Sequence, residues 1–258
     1  MKLISSICLP GYKKRQRYTL NKHMKQLGKL SIKAYPVMST SSVYSSLIEG
    51  SGIDMDSYLH NKQTGYENRE MKQIDDLIEA YQFARTHSLT LPNALKAHKI
   101  LSRNFSMDER YKGIVRDKDV KVGNIFHTVY RGADKSIVEH ENEQLFNDIA
   151  ELKKRKRLSV EECFYYASFA HLVFVKIHPF ADGNGRAARL IEKWFLAQCL
   201  GNIAWSLPSE INYYLKRDKY YATLKVGSTY EEVDYTMALP FLLILPSCFS
   251  ISKKFYAE

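Results

Sequence analysis

A repeat of apolar side chains at helical spacing runs through the second half of the chain and sets the fold class. In 160–177 the apolar residues lie three and four positions apart, and 186–200 repeats this pattern. Similar patterns predict further helices at 68–85, 92–103, 137–156, 213–225 and 235–251. Only 111–134 alternates as a strand does, with glycines at candidate turns. We therefore predict an all-α fold, a helical bundle with one small β-hairpin and no internal repeat.

The chain divides into an N-terminal arm and one helical domain. Residues 1–40 mix Gly, Ser, Pro, Lys and Arg with little periodicity, which predicts an extended arm. From position 41 apolar residues pair four apart, and Gly50 offers a C-terminal stop, so 41–49 is predicted to be a short helix. We assign 41–258 to the domain that follows the arm.

Composition narrows the class of protein and of partner. Hydrophobic residues make up 45% of the chain, which excludes a disordered protein. The net charge of +10 favours anionic partners, whether phosphates, nucleic acid or an acidic surface. The four cysteines lack C-x-x-C spacing, so the sequence predicts neither a zinc site nor a disulfide framework. Segments 1–10 and 239–249 suit neither a secretory core nor a membrane span, and we expect a cytoplasmic protein without membrane contact.

The loop before the 186–200 helix carries the string HPFADGNGRAAR at 178–189. Gly183 and Gly185 remove side chains where backbone amides approach a ligand, just before a helix N-terminus. Free amides and the helix dipole make that end an anion site. Arg186 and Arg189 are three residues apart, so both planar forks lie on one helix face and suit phosphate oxygens.

Two further residues of this string add chemistry to the anion site. Asp182 is a hard oxygen ligand that suits magnesium beside nucleotide phosphates. His178 can exchange protons near neutral pH. Phe180 is best explained as an apolar anchor that buries the loop. The pattern predicts a phosphate-transfer site; the alternative is an ordinary interhelical loop with solvated arginines and a structural histidine.

The string resembles the Fic signature H-P-F-x-[D/E]-G-N-G-R-x-x-R at every fixed position, and the likeness extends over about 42–224. The resemblance implies a Fic fold and transfer of AMP from Mg-ATP to a Ser, Thr or Tyr hydroxyl of a protein. It makes His178 the general base and Asp182 the holder of Mg²⁺. The resemblance further assigns the nucleotide phosphates to Gly183, Asn184 and Gly185, the β-phosphate to Arg186 and the γ-phosphate to Arg189.

The residue at position 185 bears on the group transferred. Doc-type relatives carry a lysine there and act as kinases with the nucleotide reversed. By that resemblance Gly185 favours transfer of AMP over transfer of phosphate. Transfer of another phosphate-containing group, or removal of AMP, remains an alternative.

A second motif, Ser45 to Gly50, resembles the family's inhibitory pattern [S/T]-x-x-x-E-[G/N]. Ser45 and Glu49 lie four apart on one face of the predicted helix. By resemblance, Glu49 forms a salt bridge with Arg189, denies that arginine to the γ-phosphate and keeps the enzyme mostly inhibited. The alternative is an ordinary helix end with an exposed glutamate. In some relatives the same glutamate positions a water that removes AMP.

Other parts of the sequence carry weaker signals. Region 125–136 matches the family's flap, which aligns the target segment. We place Thr128, Val129 and Tyr130 in this flap, and a plain structural hairpin is the alternative. Tyr220 and Tyr221 are candidates to stack on adenine, while the other histidines, His171 among them, are expected to be satisfied helix residues.

The basic run 153–157 is expected to be a solvated helix end. Together with the charge, it supports an alternative of a different class, a non-catalytic nucleic-acid-binding or interaction module. For an enzyme, the expected partners are ATP and an unidentified target protein, with self-modification and a homodimer as further expectations.

Overall fold

The computed structural model describes residues 2–29, 37–123, 128–155 and 158–251. Twelve α-helices and one two-stranded sheet lie in these ranges. The helices are α1 (Leu9–Arg15), α2 (Leu20–Lys29), α3 (Val37–Ile48), α4 (Met55–Thr64), α5 (Arg69–Thr86), α6 (Leu91–Leu101), α7 (Val138–Lys154), α8 (Val160–Ile177), α9 (Asn184–Leu200), α10 (Ser209–Leu215), α11 (Arg217–Thr223) and α12 (Leu239–Leu242). The strands are β1 (Lys121–Gly123) and β2 (Thr128–Arg131). The helical bundle and the single hairpin are as predicted.

Helix α8 forms the centre of the molecule. Every side chain from Cys163 to Phe174 is buried, as expected of a helix that is apolar on all sides. A capping box begins the helix: Ser159 accepts from the Glu162 amide, and the Glu162 carboxylate accepts from the Ser159 amide. Helix α9 packs against α8 as its main neighbour. The loop between these two helices is therefore attached to the rigid core at both ends.

Helix α3 packs on α5 and α10 and also touches α9. It begins four residues before the predicted start and ends one residue before the predicted end, close to Gly50, whose φ of 95° favours glycine. Val43 and Leu47 pack in a satellite cluster with side chains of α4 and α5. The end of α3 is thereby placed close to the first turn of α9.

The prediction of an extended arm is wrong for residues 2–29. They form α1 and α2, and Tyr12 and Leu20 are fully buried. The buried carboxylate of Asp148 accepts hydrogen bonds from the backbone amides of residues 2, 3 and 4. The apolar residues of α2 recur at helical spacing, but numerous lysines between them hide the pattern. Part of the predicted arm, residues 30–36, lies outside the described ranges.

The C-terminal helices also differ from the prediction. Helices α10 and α11 are separate, because the backbone breaks at Lys216 (φ −115°, ψ 30°). The predicted helix over 235–251 is instead a short α12 flanked by 3₁₀ turns at Tyr235–Ala238 and Leu245–Cys248. Pro240 and Pro246 lack the amide hydrogens that a continuous helix needs there. No described helix has the length and apolar character that crossing a membrane requires.

Candidate active site

His178 ends α8 in the left-handed conformation, with φ 55° and ψ 57°. Among the described residues it is the only non-glycine with a positive φ. This conformation stops the helix and turns the side chain into the loop. Its Nδ1 lies 3.2 Å from the carbonyl oxygen of Val175, so Nδ1 donates and Nε2 remains the unprotonated acceptor. The ring therefore presents the nitrogen that a general base needs.

The charge state of His178 also suits a base. Burial lowers the pKa of its imidazole to about 4, and the positive charges of Arg116 and Lys176 act in the same direction. The Glu49 carboxylate opposes this shift. The surface of His178 is nevertheless partly accessible, so a small group can reach the ring. At neutral pH the imidazole is uncharged and able to accept a proton.

The floor of the loop is a stacked pair of rings. Phe180 is buried, as predicted, and lies on His98 of α6 with ring centroids 3.5 Å apart. Nε2 of His98 donates to the carbonyl oxygen of Asp182 over 2.9 Å, and Nδ1 accepts from the amide of Gly113 over 3.0 Å. Burial lowers the pKa of His98 to about 4, which keeps it neutral. Both ring nitrogens are thus used to hold the loop.

Asn184 closes the loop with its side chain. Its Oδ1 accepts from the amide of Phe180 at 2.9 Å, and its Nδ2 donates to the carbonyl oxygen of Phe180 at 2.8 Å. The amide group is therefore engaged within the protein. A ligand at this position would instead meet the backbone amides of the first turn of α9. This turn lacks a side-chain cap and contains no acidic residue. Gly183, with φ 79°, brings the chain into that turn.

Asp182 is the exposed carboxylate of the loop. Its Oδ1 accepts from the amide of Gly183 at 2.6 Å. In the described part of the chain no group of three or more His, Cys, Asp or Glu side chains gathers as a metal site. A lone carboxylate beside an anion site fits Mg²⁺, which binds through one or two carboxylates together with substrate phosphates and water.

Arg186 lies across the ring of Phe105, with the guanidinium carbon 4.5 Å from the ring centroid. Its buried Nε has no hydrogen-bond partner among the described residues. A buried donor without a partner is costly, and an incoming phosphate oxygen can satisfy it. Arg186 is therefore positioned by an aromatic surface and has a donor left for a ligand.

Arg189 is 1% exposed and is held by α3. Its Nε donates to Ser45 Oγ at 2.8 Å, and its Nη2 donates to the carbonyl oxygen of Ser45 at 3.0 Å. Nη2 also lies 2.7 Å from Oε1 of Glu49. The structure thus brings together Arg189 and the two residues of the second sequence motif, Ser45 and Glu49.

The Glu49 carboxylate rests directly on Gly185, at the start of α9. A Cβ at Gly185 would overlap Oε1 of Glu49, so only glycine leaves room for this contact. Burial alone would raise the pKa of Glu49, but the charge and hydrogen bond of Arg189 lower it below its ordinary value. Glu49 is therefore ionised at neutral pH and occupies the anion site of α9 as a built-in anion. Its side chain is still 31% exposed.

Tyr220 does not have the role predicted for it. It is buried, and its hydroxyl lies 3.0 Å from Nε2 of His171 and 3.4 Å from Nη1 of Arg189. Nδ1 of His171 lies 3.0 Å from Glu192, so a buried polar network supports Arg189 from behind. The ring of Tyr220 packs against Tyr213, Tyr221 and Phe241. The prediction that it stacks on adenine is wrong because its ring is enclosed, whereas the expectation that His171 is satisfied is confirmed.

Tyr221 lies on the outer side of α11 and remains partly open. Its ring is 40% exposed, and its hydroxyl donates to the carbonyl oxygen of Ile48 at 3.0 Å. It therefore contacts the last turn of α3 directly before Glu49. Its contact with adenine stays a prediction.

The hairpin predicted as the flap pairs β1 with β2, with Val122 opposite Tyr130. Tyr130 is buried, its hydroxyl donates to the carbonyl oxygen of Lys176 at 2.7 Å, and the ammonium of Lys176 lies 3.8 Å from its ring centroid. Thr128 and Val129 belong to β2, but their side chains and residues 124–127 lie outside what the structure describes. The role of these residues in holding a target stays a prediction.

Arg116 joins the hairpin to the catalytic loop. Its Nε donates to the carbonyl oxygen of His178 at 2.8 Å, and its backbone amide donates to that of Pro179 at 2.9 Å. Nη2 donates to the carbonyl oxygen of Ala133, just after β2. Sequence reasoning missed Arg116, since nothing in its neighbourhood distinguishes it from the other arginines.

Gly132 brings the end of β2 against the base. A Cβ there would stand 2.9 Å from Cβ of His178 and 3.1 Å from Nη2 of Arg116. The next residue, Ala133, donates its amide to the carbonyl oxygen of Ile177 at 3.2 Å. The end of the hairpin and the end of α8 are thus in direct contact. The sequence placed Gly132 only at a turn.

The basic run 153–157, predicted to be a solvated helix end, makes some contacts within the protein. Lys153 donates to the carbonyl oxygen of Leu89 at 3.3 Å, and burial lowers its pKa. Arg155 lies 5.7 Å from the ring centroid of Tyr166. Lys156 and Arg157 lie outside the described residues.

Comparison with known proteins finds a family likeness in the segment that contains the site. Residues 88–196 match the model of the Fic/DOC family. The chain is 29% identical over 182 residues to protein adenylyltransferase Fic of Aedes aegypti, covering 70% of this chain and 31% of that protein. It is 40% identical over 63 residues to the protein of the same name in Drosophila persimilis, covering 24% of this chain and 11% of that protein. The chain thus spans less than a third of the length of these relatives.

Solved structures share the whole architecture. A Fic family protein from Desulfovibrio desulfuricans G20 superposes with a TM-score of 0.72 at 18% identity, over 100% of this chain and 76% of that one. Fic-1 of C. elegans (residues 134 to 508) gives a TM-score of 0.70 at 17% identity, over 97% and 73% of the two chains. At such identities the likeness shows the fold alone. Together with the family match, it shows that the protein has the Fic fold and contains a Fic/DOC family domain.

Proposed function

We propose that the protein is a protein adenylyltransferase that transfers AMP from Mg-ATP to a hydroxyl of a protein and is restrained by α3. The observation that carries the proposal is the pairing of a neutral His178 with an arginine-bearing anion site one loop away. The adenylyltransferase names of the relatives support the same reaction.

In the proposed reaction His178 accepts the proton of the target hydroxyl at Nε2. The hydroxyl oxygen then forms a bond to the innermost phosphorus of ATP, and the bond from that phosphorus to the bridging oxygen breaks. Pyrophosphate leaves towards Arg186 and Arg189, whose fixed positive charges match the charge that develops on it. Mg²⁺ held by Asp182 would supply charge neutralisation of the phosphates. The products are the AMP-modified protein, pyrophosphate and a protonated imidazole, which then releases its proton.

The enzyme rests mostly in a restrained state in this proposal. Glu49 pairs with Arg189 and covers Gly185, so a carboxylate fills the place intended for phosphate oxygens. The γ-phosphate carries the same sign of charge and cannot share that place with Glu49. Withdrawal of Glu49 restores Arg189 to the substrate.

The experiment compares transfer of label from α-labelled and γ-labelled ATP to protein by the Glu49→Gly variant. We expect transfer of the α-label alone, and its loss when His178→Ala is added, while ATP binding persists. Mass spectrometry of the product separates AMP from UMP, phosphate and phosphocholine. Transfer of the γ-label would replace the proposal with a kinase. Absence of Mg-ATP binding in both wild type and Glu49→Gly would favour a non-catalytic module.

A further inference from the structure

A cavity of about 570 Å³ lies beside α11, and none of the residues that line it belongs to the candidate active site. The last turn of α1, the segment directly after it and residues near α12 line the cavity together with Lys219 of α11. Cationic side chains dominate the lining: Lys14, Arg15, Arg17 and Lys219. Leu243 and Pro246 supply an apolar floor. Tyr220, which follows Lys219 in α11, contacts Arg189 and does not line the cavity.

The cations of this cavity have no ion-pair partner in the described part of the chain. No carboxylate lines the cavity, and among the described residues none of the four forms an ion pair. The neighbouring Lys13, by contrast, pairs with Glu162 at 3.1 Å. Part of the charge near α1 complements the dipole at that helix end, but Arg17 and Lys219 lie outside its last turn.

Lys216 provides an independent sign of the same charge imbalance. Its Nζ donates to Oγ of Ser247 at 2.6 Å, and Ser247 directly follows Pro246 of the cavity lining. Burial lowers the pKa of this lysine, and the positive charge of Lys219 lowers it further. Like charges therefore crowd here, and no carboxylate of the described residues lines the cavity.

We propose that this cavity binds a small polyphosphate ligand of about mononucleotide size. Its volume lies within the range of small-molecule sites, roughly 300–1,000 Å³. Arg15 and Arg17 present planar forks that match phosphate oxygens, and two lysines add point charges. Tyr18, which is half-buried in the wall, offers a ring for an attached organic group. The site is separate from the one proposed to hold ATP for AMP transfer.

A nucleic acid strand fits the cavity less well. Binding of an extended polyanion uses a basic stripe that follows its backbone. Here the cations come from two distant parts of the sequence and converge on one partly open concavity. The geometry therefore favours a compact ligand.

The test titrates full-length protein with inorganic tripolyphosphate in the absence of Mg²⁺. Calorimetry measures affinity, and hydrogen exchange of the amides of residues 14–18 reports the cavity itself. We expect Arg17→Glu with Lys219→Glu to weaken binding by about tenfold or more, since each charge-assisted contact is strong. The matched control, Arg85→Glu with Lys154→Glu, reverses two exposed helix-end cations elsewhere and should stay within about twofold.

Two further measurements make the outcome unambiguous. Arg186→Ala perturbs only the first site, so protection of residues 14–18 by tripolyphosphate should persist in it. Should the charge reversals disturb folding, Arg17→Gln with Lys219→Gln tests the same contacts without adding negative charge. Protection that is absent from wild type, or lost in Arg186→Ala alone, would overturn the proposal. So would an oligonucleotide that protects these amides and that tripolyphosphate fails to displace.

Discussion

Nη2 of Arg189 lies 2.7 Å from Oε1 of Glu49, and the same carboxylate covers Gly185 at the start of α9. One side chain thus pairs with the arginine and lies against the first turn of α9, where the proposed function places phosphate oxygens. The carboxylate is still 31% exposed and lies at a helix end beside Gly50, so it can leave without unfolding the core.

Replacement of this carboxylate should separate activity from stability. Glu49→Gly is expected to raise AMP incorporation by about tenfold, equivalent to ~1.4 kcal/mol. It should also lower the melting temperature by about 3 °C, because Arg189 stays buried without its ionic partner. Glu67→Gly removes an exposed glutamate elsewhere and serves as control. Equal incorporation by wild type and Glu49→Gly would remove the restraint from the proposal.

Arg116 should matter for turnover more than for nucleotide affinity. Arg116→Lys keeps the charge but loses the fork that holds the carbonyl oxygens of His178 and Ala133. In the Glu49→Gly background we expect kcat to fall by about tenfold through misplacement of the base, with KM for ATP unchanged. Arg110→Lys, at an exposed site, should change neither constant. A rise in KM alone would assign Arg116 to binding.

Gly132 tests the contact between hairpin and base. Gly132→Ala introduces a Cβ 2.9 Å from Cβ of His178, so the hairpin or the base must shift. We expect a loss of kcat of at least about tenfold, measured by transfer of the α-label. Gly28→Ala is the matched control: its Cβ would meet no atom nearer than 4.0 Å. Since Gly28 lies within α2, this change should leave activity intact and add about 0.5–1 kcal/mol of stability.

His98 makes stability depend on pH. Its folded-state pKa of about 4 lies below the ordinary histidine pKa of 6.5, so the unfolded chain binds more protons between these values. The free energy of unfolding should therefore fall as pH falls through this window, by about 2 kcal/mol between pH 7 and 5 for this residue. Urea unfolding of wild type and His98→Gln at both pH values measures the difference. Parallel pH profiles of the two proteins would contradict it.

Asp182 should determine the Mg²⁺ concentration that label transfer requires. Asp182→Asn retains an oxygen that can accept from the Gly183 amide, so the turn should persist. The missing charge weakens Mg²⁺ binding, and we expect label transfer in the Glu49→Gly background to need a several-fold higher Mg²⁺ concentration. Asp218→Asn, at an exposed position of α11, should leave the Mg²⁺ dependence unchanged. A variant that is simply inactive at every Mg²⁺ concentration would point to a different role.

The sequence predicts the central helices well because their signals are local. The bounds of α5 to α9 lie within three residues of the prediction, and the predicted helix over 160–177 matches α8. The arm was mispredicted because the apolar residues of α1 and α2 are few and stand among many lysines. Residues 235–251 do not form the single predicted helix because Pro240 and Pro246 lack the backbone N–H groups that it needs.

Local patterns also explain which site residues could be found. His178, Asp182, Arg186 and Arg189 share one string, so their grouping follows from the chain itself. Arg116, His98 and Gly132 reach the loop from distant segments, and only the folded backbone brings them there. The prediction that Tyr220 contacts adenine fails for the same reason, because the sequence alone does not show which face of a short helix is buried.

The contacts that hold the 178–183 loop in place limit how the proposed activity can be regulated. Asn184, the stacked ring of His98 and the fork of Arg116 each fix the loop by contacts that involve no ligand. Because protein contacts alone hold the loop, a change in its shape would require these contacts to break. Under the proposed function, an activating signal would therefore act on Glu49 and its contact with Arg189 rather than on the loop.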